Sequence, residues 1–308
     1  MNHRVTALAA LLLLLPAAVI YQMGYPDLAR DVALGAVLAF HLGLLARPLA
    51  PFGFLIAGVY AAAALTAGFT DGVAALIVAT AAATGAGSSL GYHRGLLAVL
   101  AAALIGSFEP ATAAVAASRG FAMFAGCLYG LLLVRTVARD LVSRPVAVHS
   151  RTALSYSVLL AVLVLVAWLT IHAAGLEQAW WLPLTVAALG QPWLQSTPGK
   201  AVARLATALA ATLLALAVFD AIAEPALRAA AAAALLLAFL ALGRDRAEVQ
   251  DFLLTPVLVL LVAGGTDYSS GVYLEGTLLA FAIVSTFTVL GKWVLWTLRP
   301  DVGHVVSA

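Results

Sequence analysis

Charge is what this chain has least of. Only 10% of its 308 residues are Asp, Glu, Lys or Arg, against 64% hydrophobic, where a soluble domain carries roughly 25% charged residues. So few polar groups cannot cover a water-facing surface, which excludes an ordinary soluble globule and predicts an integral membrane protein in contact with the lipid bilayer. Cysteine is nearly absent too. Cys127 stands alone, so no intramolecular disulfide exists, and its apolar neighbours Gly126 and Leu128 make it core filler. The short alternating strands of an outer-membrane barrel are missing, and long Ala- and Leu-rich runs stand in their place. No Walker A sequence occurs, which excludes ATP-driven transport by this chain. There is no acidic pair spaced for a magnesium–diphosphate site and no metal-ligand cluster. Asp245, Glu248 and Asp251 alternate with Arg244 and Arg246 and read as a solvated loop. The segment GAGSSLGYHRG (85–95) holds Ser and His, but in one loop. An intramembrane serine protease needs them on separate helices at depth. No enzyme activity, cofactor, metal or nucleic-acid partner is expected.

What is present is a series of apolar runs. A helix needs about 20 apolar residues, and at least about 17, to cross a bilayer core. Such spans fall near residues 5–21, 31–46, 52–69, 72–88, 95–108 and 111–137, then near 153–174, 180–193, 201–219, 226–242, 252–263 and 276–298. The fold class is therefore all-α, a polytopic membrane protein of about twelve transmembrane helices. The fifth, eighth and eleventh are short, and a re-entrant pair would lower the count to ten. Met1 to Gln22 has His3 and Arg4 ahead of an apolar run, like a secretory signal. It lacks a clean small-residue cleavage site and reads as the first span. With the N-terminus in the cytoplasm, thirteen of the sixteen Lys and Arg residues fall on the cytoplasmic side. Only Arg30, Arg119 and Arg228 fall outside, which is the expected bias. Both termini are then cytoplasmic.

The spans form two sets of six. HRVTALAALLLLL (3–15) parallels SRTALSYSVLLAV (150–162). Residues 41–69 parallel 191–219, with Pro48 on Pro198 and Phe54 on Arg204, and residues 118–130 parallel 274–286, with Gly120 on Gly276. An even number of spans per copy makes the copies parallel, related by an axis along the membrane normal, with a pathway at their interface. The expected division is repeat 1 at 1–138, a cytoplasmic linker at 139–151 (RDLVSRPVAVHSR) and repeat 2 at 152–308.

The second half carries a run of features in a particular order. Arg151 leads a helix; WWLPLT (180–185) opens another; Gln191-Pro192 and a short polar loop precede KAVARLAT (200–207); LLTP (253–256) is followed by LEGTLLAFAI (274–283). This order resembles the fusaric acid resistance, or aromatic acid exporter, family of inner-membrane proteins, clearly over about 150 residues. Two departures stand out. Small residues Thr207, Ala208 and Ala211 follow Arg204 where the family has Gly-Thr and Gly, and the large cytoplasmic domain common in that family is missing. The resemblance implies a place in a bacterial inner membrane and export of small organic anions, aromatic carboxylates first.

Individual residues admit two readings each. Lys200 and Arg204 share a helix face and either draw an anion toward a helix N-terminus or mark topology and snorkel. Thr255 and Pro256 either break a helix at a site or occupy an inexpensive first turn. Trp181, Thr185 and Gln191 either meet the substrate or serve as an interfacial belt and interhelix hydrogen bonds. Arg119 and Glu275 hold matching positions in the two copies, as an outer gate with proton coupling or as solvated loop charges. His41 is a proton carrier or a packing histidine. The functional reading is an exporter driven by the proton gradient, against a passive anion channel or a non-transporting membrane scaffold. It leaves room for a homo-oligomer and for a separately encoded periplasmic adaptor.

Overall fold

The computed structural model describes residues 3–45, 50–137, 149–176, 181–189, 198–222 and 224–242, with isolated positions at 147, 257, 260, 278–280, 282, 283 and 286. Every regular element among the described residues is helical. In chain order these are α1 (His3–Gln22), α2 (Pro26–Leu45), α3 (Ala50–Thr66), α4 (Thr70–Ala86), a 3-10 turn (Gly87–Leu90), α5 (His93–Ser107), α6 (Ala113–Thr136), α7 (Ser150–Ala174), α8 (Trp181–Leu189), α9 (Pro198–Ala221) and α10 (Pro225–Leu242).

Among the described residues, three stretches are long and apolar enough to cross a membrane: Asp71–Leu90, Ala113–Thr136 and Ser150–Ala174, of 20, 24 and 25 residues. Helix α7 shows why such a segment does not belong in water. Its buried stripe runs through Tyr156, Leu160, Leu163, Ala167 and Ile171, yet its opposite face is just as apolar. Leu154 is 68% exposed, Val158 61% and Leu169 57%. A surface helix of a soluble protein is polar on that side.

Some helices begin or end away from the apolar runs. Helix α2 starts at Pro26, five residues before the apolar run, because proline suits the first helical turn and Asp27 complements its positive end. Arg30 and Asp31 are thereby inside a helix rather than in a loop. Helix α9 starts at Pro198 for the same reason, which puts Lys200 and Arg204 on its first two turns. Helix α8 covers only nine residues. The expected linker (save 147 and 149–151), the loop 190–197 and most of the eleventh and twelfth spans lie outside the described residues.

Close helix crossings rest on small residues. A Cβ on Gly35 would overlap the Met123 carbonyl, one on Gly126 the Val32 carbonyl, and one on Gly130 the Ala36 carbonyl. Helices α2 and α6 therefore touch backbone to backbone, with Gly126 and Gly130 four apart as in small-xxx-small contacts. Pro16 interrupts α1 and cannot donate to the Leu12 carbonyl. The Tyr129 hydroxyl of α6 donates to that carbonyl instead, at 2.7 Å, so no backbone acceptor is stranded.

Helix α2 packs on α1, α3, α5 and α6, and α3 on α5 and α6. Between the halves, α4 packs on α7, α5 on α8 and α1 on α10. At the α4–α7 crossing Gly85 lies against the Ser157 backbone, and the Ser157 hydroxyl donates to the Ala82 carbonyl at 2.6 Å.

Candidate functional site

The polar residues of the first half converge at one end of the bundle, where α1, α3 and α5 end and α2 and α6 begin. Arg30 and Asp31 project from the second turn of α2, Tyr60 from α3, Glu109 from the α5–α6 connection and Arg119 from the second turn of α6. The Arg30 guanidinium donates to Glu109 Oε2 at 2.6 Å and to Asp31 Oδ1 at 3.2 Å. Arg119 Nη1 donates to the same Glu109 Oε2 at 2.8 Å. Tyr60 Oη lies 2.9 Å from Asp31 Oδ1 and 3.2 Å from Glu109 Oε2.

Two guanidiniums face two carboxylates, so the cluster is balanced in charge. It is also shielded. The side chain of Asp31 is 0% exposed, Arg30 14%, Glu109 16% and Arg119 19%. An ionised group taken from water is costly unless paired and hydrogen-bonded, and the charged atoms here are within bonding distance of opposite charge. Satisfaction is incomplete: Asp31 Oδ2 and Arg30 Nε are buried and meet no hydrogen-bond partner among the described residues. Arg228, in the first turn of α10, sits differently. Its Nε donates to the Ile222 carbonyl at 2.6 Å, and its guanidinium lies 3.8 Å from the Phe219 ring centre. It caps the C-terminal end of α9, where a cation is favoured.

The sequence-predicted residues fare unequally. Arg119 belongs to the cluster, and its partner is Glu109. Glu275, Gln191, Thr255 and Pro256 lie outside the described residues. Lys200 and Arg204 are on the first two turns of α9, and their side chains lie outside what the structure describes. Trp181 is buried at the start of α8 and Thr185 half-buried one turn on; His41 is half-buried near the end of α2. Nothing brings these last three together with Arg119. In the 85–95 segment, Ser88 Oγ donates to the Gly85 carbonyl at 2.6 Å and Ser89 Oγ to Ala86 at 2.8 Å, so both hydroxyls close the local turn.

Sequence reading passed over Arg30, Asp31, Tyr60 and Glu109 as site residues. Two signals pointed to them: adjacent opposite charges at 30–31 just ahead of an apolar run, and a tyrosine within an alanine-rich helix.

Among the described residues the protein is all-helical, with three membrane-length apolar helices and a balanced ion cluster enclosed at one end. Comparison with protein-family models, with curated proteins and with solved structures finds no match to this chain.

Proposed function

We propose that this chain is an inner-membrane exporter of small organic anions, aromatic carboxylates among them, driven by the proton gradient. The observation that carries the reading is the enclosed Arg30–Asp31–Glu109–Arg119 cluster within an apolar helical bundle. Ionisable groups enclosed among apolar helices are expensive, and in membrane proteins they typically mark substrate paths or proton relays. A scaffold has no need of them. The order of motifs from Arg151 to Ile283 adds the resemblance to the fusaric acid resistance family.

The accompanying architecture is two parallel six-helix repeats with both termini in the cytoplasm. Exchanging the halves turns α4 into α10 and α7 into α1. The contact α4–α7 then becomes α10–α1, and both contacts are present. The pairs α1–α2 and α7–α8 correspond in the same way, as do α3–α4 and α9–α10. On this topology the cluster lies at the periplasmic end. The three outside arginines each have a local reason to be there: two pair with carboxylates and one caps a helix. Lys200 and Arg204 stand at the cytoplasmic entrance, where they raise the local anion concentration.

Uptake of p-hydroxybenzoate into everted vesicles tests this. Gradient-dependent, saturable uptake is expected, abolished by a protonophore. Absence of uptake across a panel of aromatic and aliphatic acids, with or without a gradient, overturns the exporter reading. Uptake indifferent to the gradient points to the passive channel.

A further inference from the structure

We propose that Glu109, Tyr60 and Asp31 form a proton relay leading from the end of the bundle to a buried acceptor, Asp31. This rests on the proton-coupled reading above and gives its coupling a route. Tyr60 is the reason. Its hydroxyl lies within hydrogen-bond distance of both carboxylates, 2.9 Å from Asp31 Oδ1 and 3.2 Å from Glu109 Oε2. A tyrosine hydroxyl has one hydrogen and two lone pairs, so it donates to one carboxylate while able to accept from the other.

The transfer balances without any co-reactant. A proton arriving on Glu109 Oε2 takes the lone pair of one of its two guanidinium hydrogen bonds, which opens. It passes to Tyr60 Oη as the hydrogen already on Tyr60 passes to Asp31 Oδ1; the guanidinium bond then re-forms. Tyr60 is neutral before and after, Glu109 is again a carboxylate, and Asp31 is a carboxylic acid. No electron pair changes owner beyond these O–H bonds. Tyr60 then donates to Glu109, and the reverse sequence empties the site.

Asp31 is suited to be the terminus. It has no exposure at all, and its Oδ2 meets no hydrogen-bond partner among the described residues. A carboxylate placed only to staple helices would have both oxygens engaged, since an unsatisfied buried acceptor is destabilising. The charges around it come from every neighbouring element. Arg30 is on α2 itself, Tyr60 on α3, Glu109 follows α5 and Arg119 is on α6. Helix α1 offers only Tyr21 toward this end, and the ionisable groups of α5, His93 and Arg94, are at the other end. With both carboxylates ionised the cluster is neutral, and each proton delivered to Asp31 leaves it with one net positive charge.

The test uses the full chain in lipid vesicles, following the carboxylic acid C=O band by infrared difference spectroscopy after a pH jump. One buried carboxyl is expected to protonate on acidification. Asp31→Asn should remove that band. Tyr60→Phe should keep the band but slow its appearance roughly 100-fold, the scale on which a positioned proton-transfer group acts. A band unchanged in Asp31→Asn, or wild-type kinetics in Tyr60→Phe, overturns the relay. Should Asp31→Asn fail to fold, Asp31→Glu must shift the band, and the Tyr60→Phe kinetics decide by themselves. Flux separates the two proposals. A working relay with flux indifferent to the gradient sinks the transport reading alone. Gradient-driven flux of wild-type size in Asp31→Asn sinks the relay alone.

Discussion

The two halves of this molecule use different means to hold helices together. In the first half, glycines at 35, 126 and 130 let α2 and α6 meet at the backbone, and a four-charge cluster ties α2, α6 and the α5–α6 connection, with Tyr60 of α3 in the same network. In the second half, α7, α8 and α10 contain no glycine, and α9 has only Gly199 in its first turn. The charge contact described there is Arg228, spent on capping α9. Among the described residues, the first half is thus locked by glycine crossings and charge, whereas α7 to α10 pack chiefly through alanine and leucine. The charge cluster lies at the end away from the start of α1, the end that the proposed topology makes periplasmic, and the glycine crossings continue from it along α2 and α6. Repetition of sequence pattern does not require repetition of role.

The strongest way to break this comparison is to remove the residue on which the cluster converges. Glu109→Ala leaves two guanidiniums without their shared partner, and breaking a buried ion pair from one side costs about 3–5 kcal/mol. A fall of that size in denaturation stability in detergent is expected, whereas Arg228→Ala should cost about 1 kcal/mol, the scale of a lost helix cap. Equal losses at the two sites would erase the contrast between the halves. Next in size is Gly126→Val. Its side chain would press on the Val32 carbonyl, and overpacking of this kind costs about 1–3 kcal/mol. Leu154→Ala on the outward face of α7 should change stability by only about 0.5 kcal/mol.

A finer probe concerns α1. Tyr129→Phe removes the donor to Leu12 and should cost about 1 kcal/mol. In a Pro16→Ala background residue 16 regains its N–H and can satisfy Leu12 within the helix. The same Tyr129→Phe change should then be nearly silent, and a double-mutant cycle reads the difference directly. Additive losses would mean that the tyrosine acts by packing rather than by replacing the bond proline lacks.

The described helices were legible in the sequence through their apolar runs, but the prolines at 26, 198 and 225 that open three of them were not read as starts. The cluster was not legible. Arg30 and Glu109 are 79 residues apart, and no local period links them. Extending the apolar pattern outward stopped at Asp31, one residue short of recognising that Arg30 also belongs to a helix. Arg119 was singled out for its place in the repeat, yet its described partner is Glu109 in its own half. A charge seen in sequence next to a span looks solvated; only packing shows whether it faces inward.

The expected repeat also sets a test for Arg204, the most informative about function. Its counterpart Phe54 is 63% exposed and stacks on Phe124 at 4.3 Å between ring centres. If the halves correspond, Arg204 stands on an open rim of α9, where it attracts anions as a charge rather than gripping them as a fork. Arg and Lys are interchangeable in the first role and not in the second. Arg204→Lys should therefore keep near wild-type uptake of p-hydroxybenzoate, whereas Arg204→Ala should lower it about tenfold at low salt and by less at high salt, as screening shortens the reach of the charge. Equal losses in both variants would place the guanidinium in direct two-point contact with a carboxylate and bring Arg204 in from the rim. That would separate it from Phe54 and remove one of the correspondences on which the repeat is built.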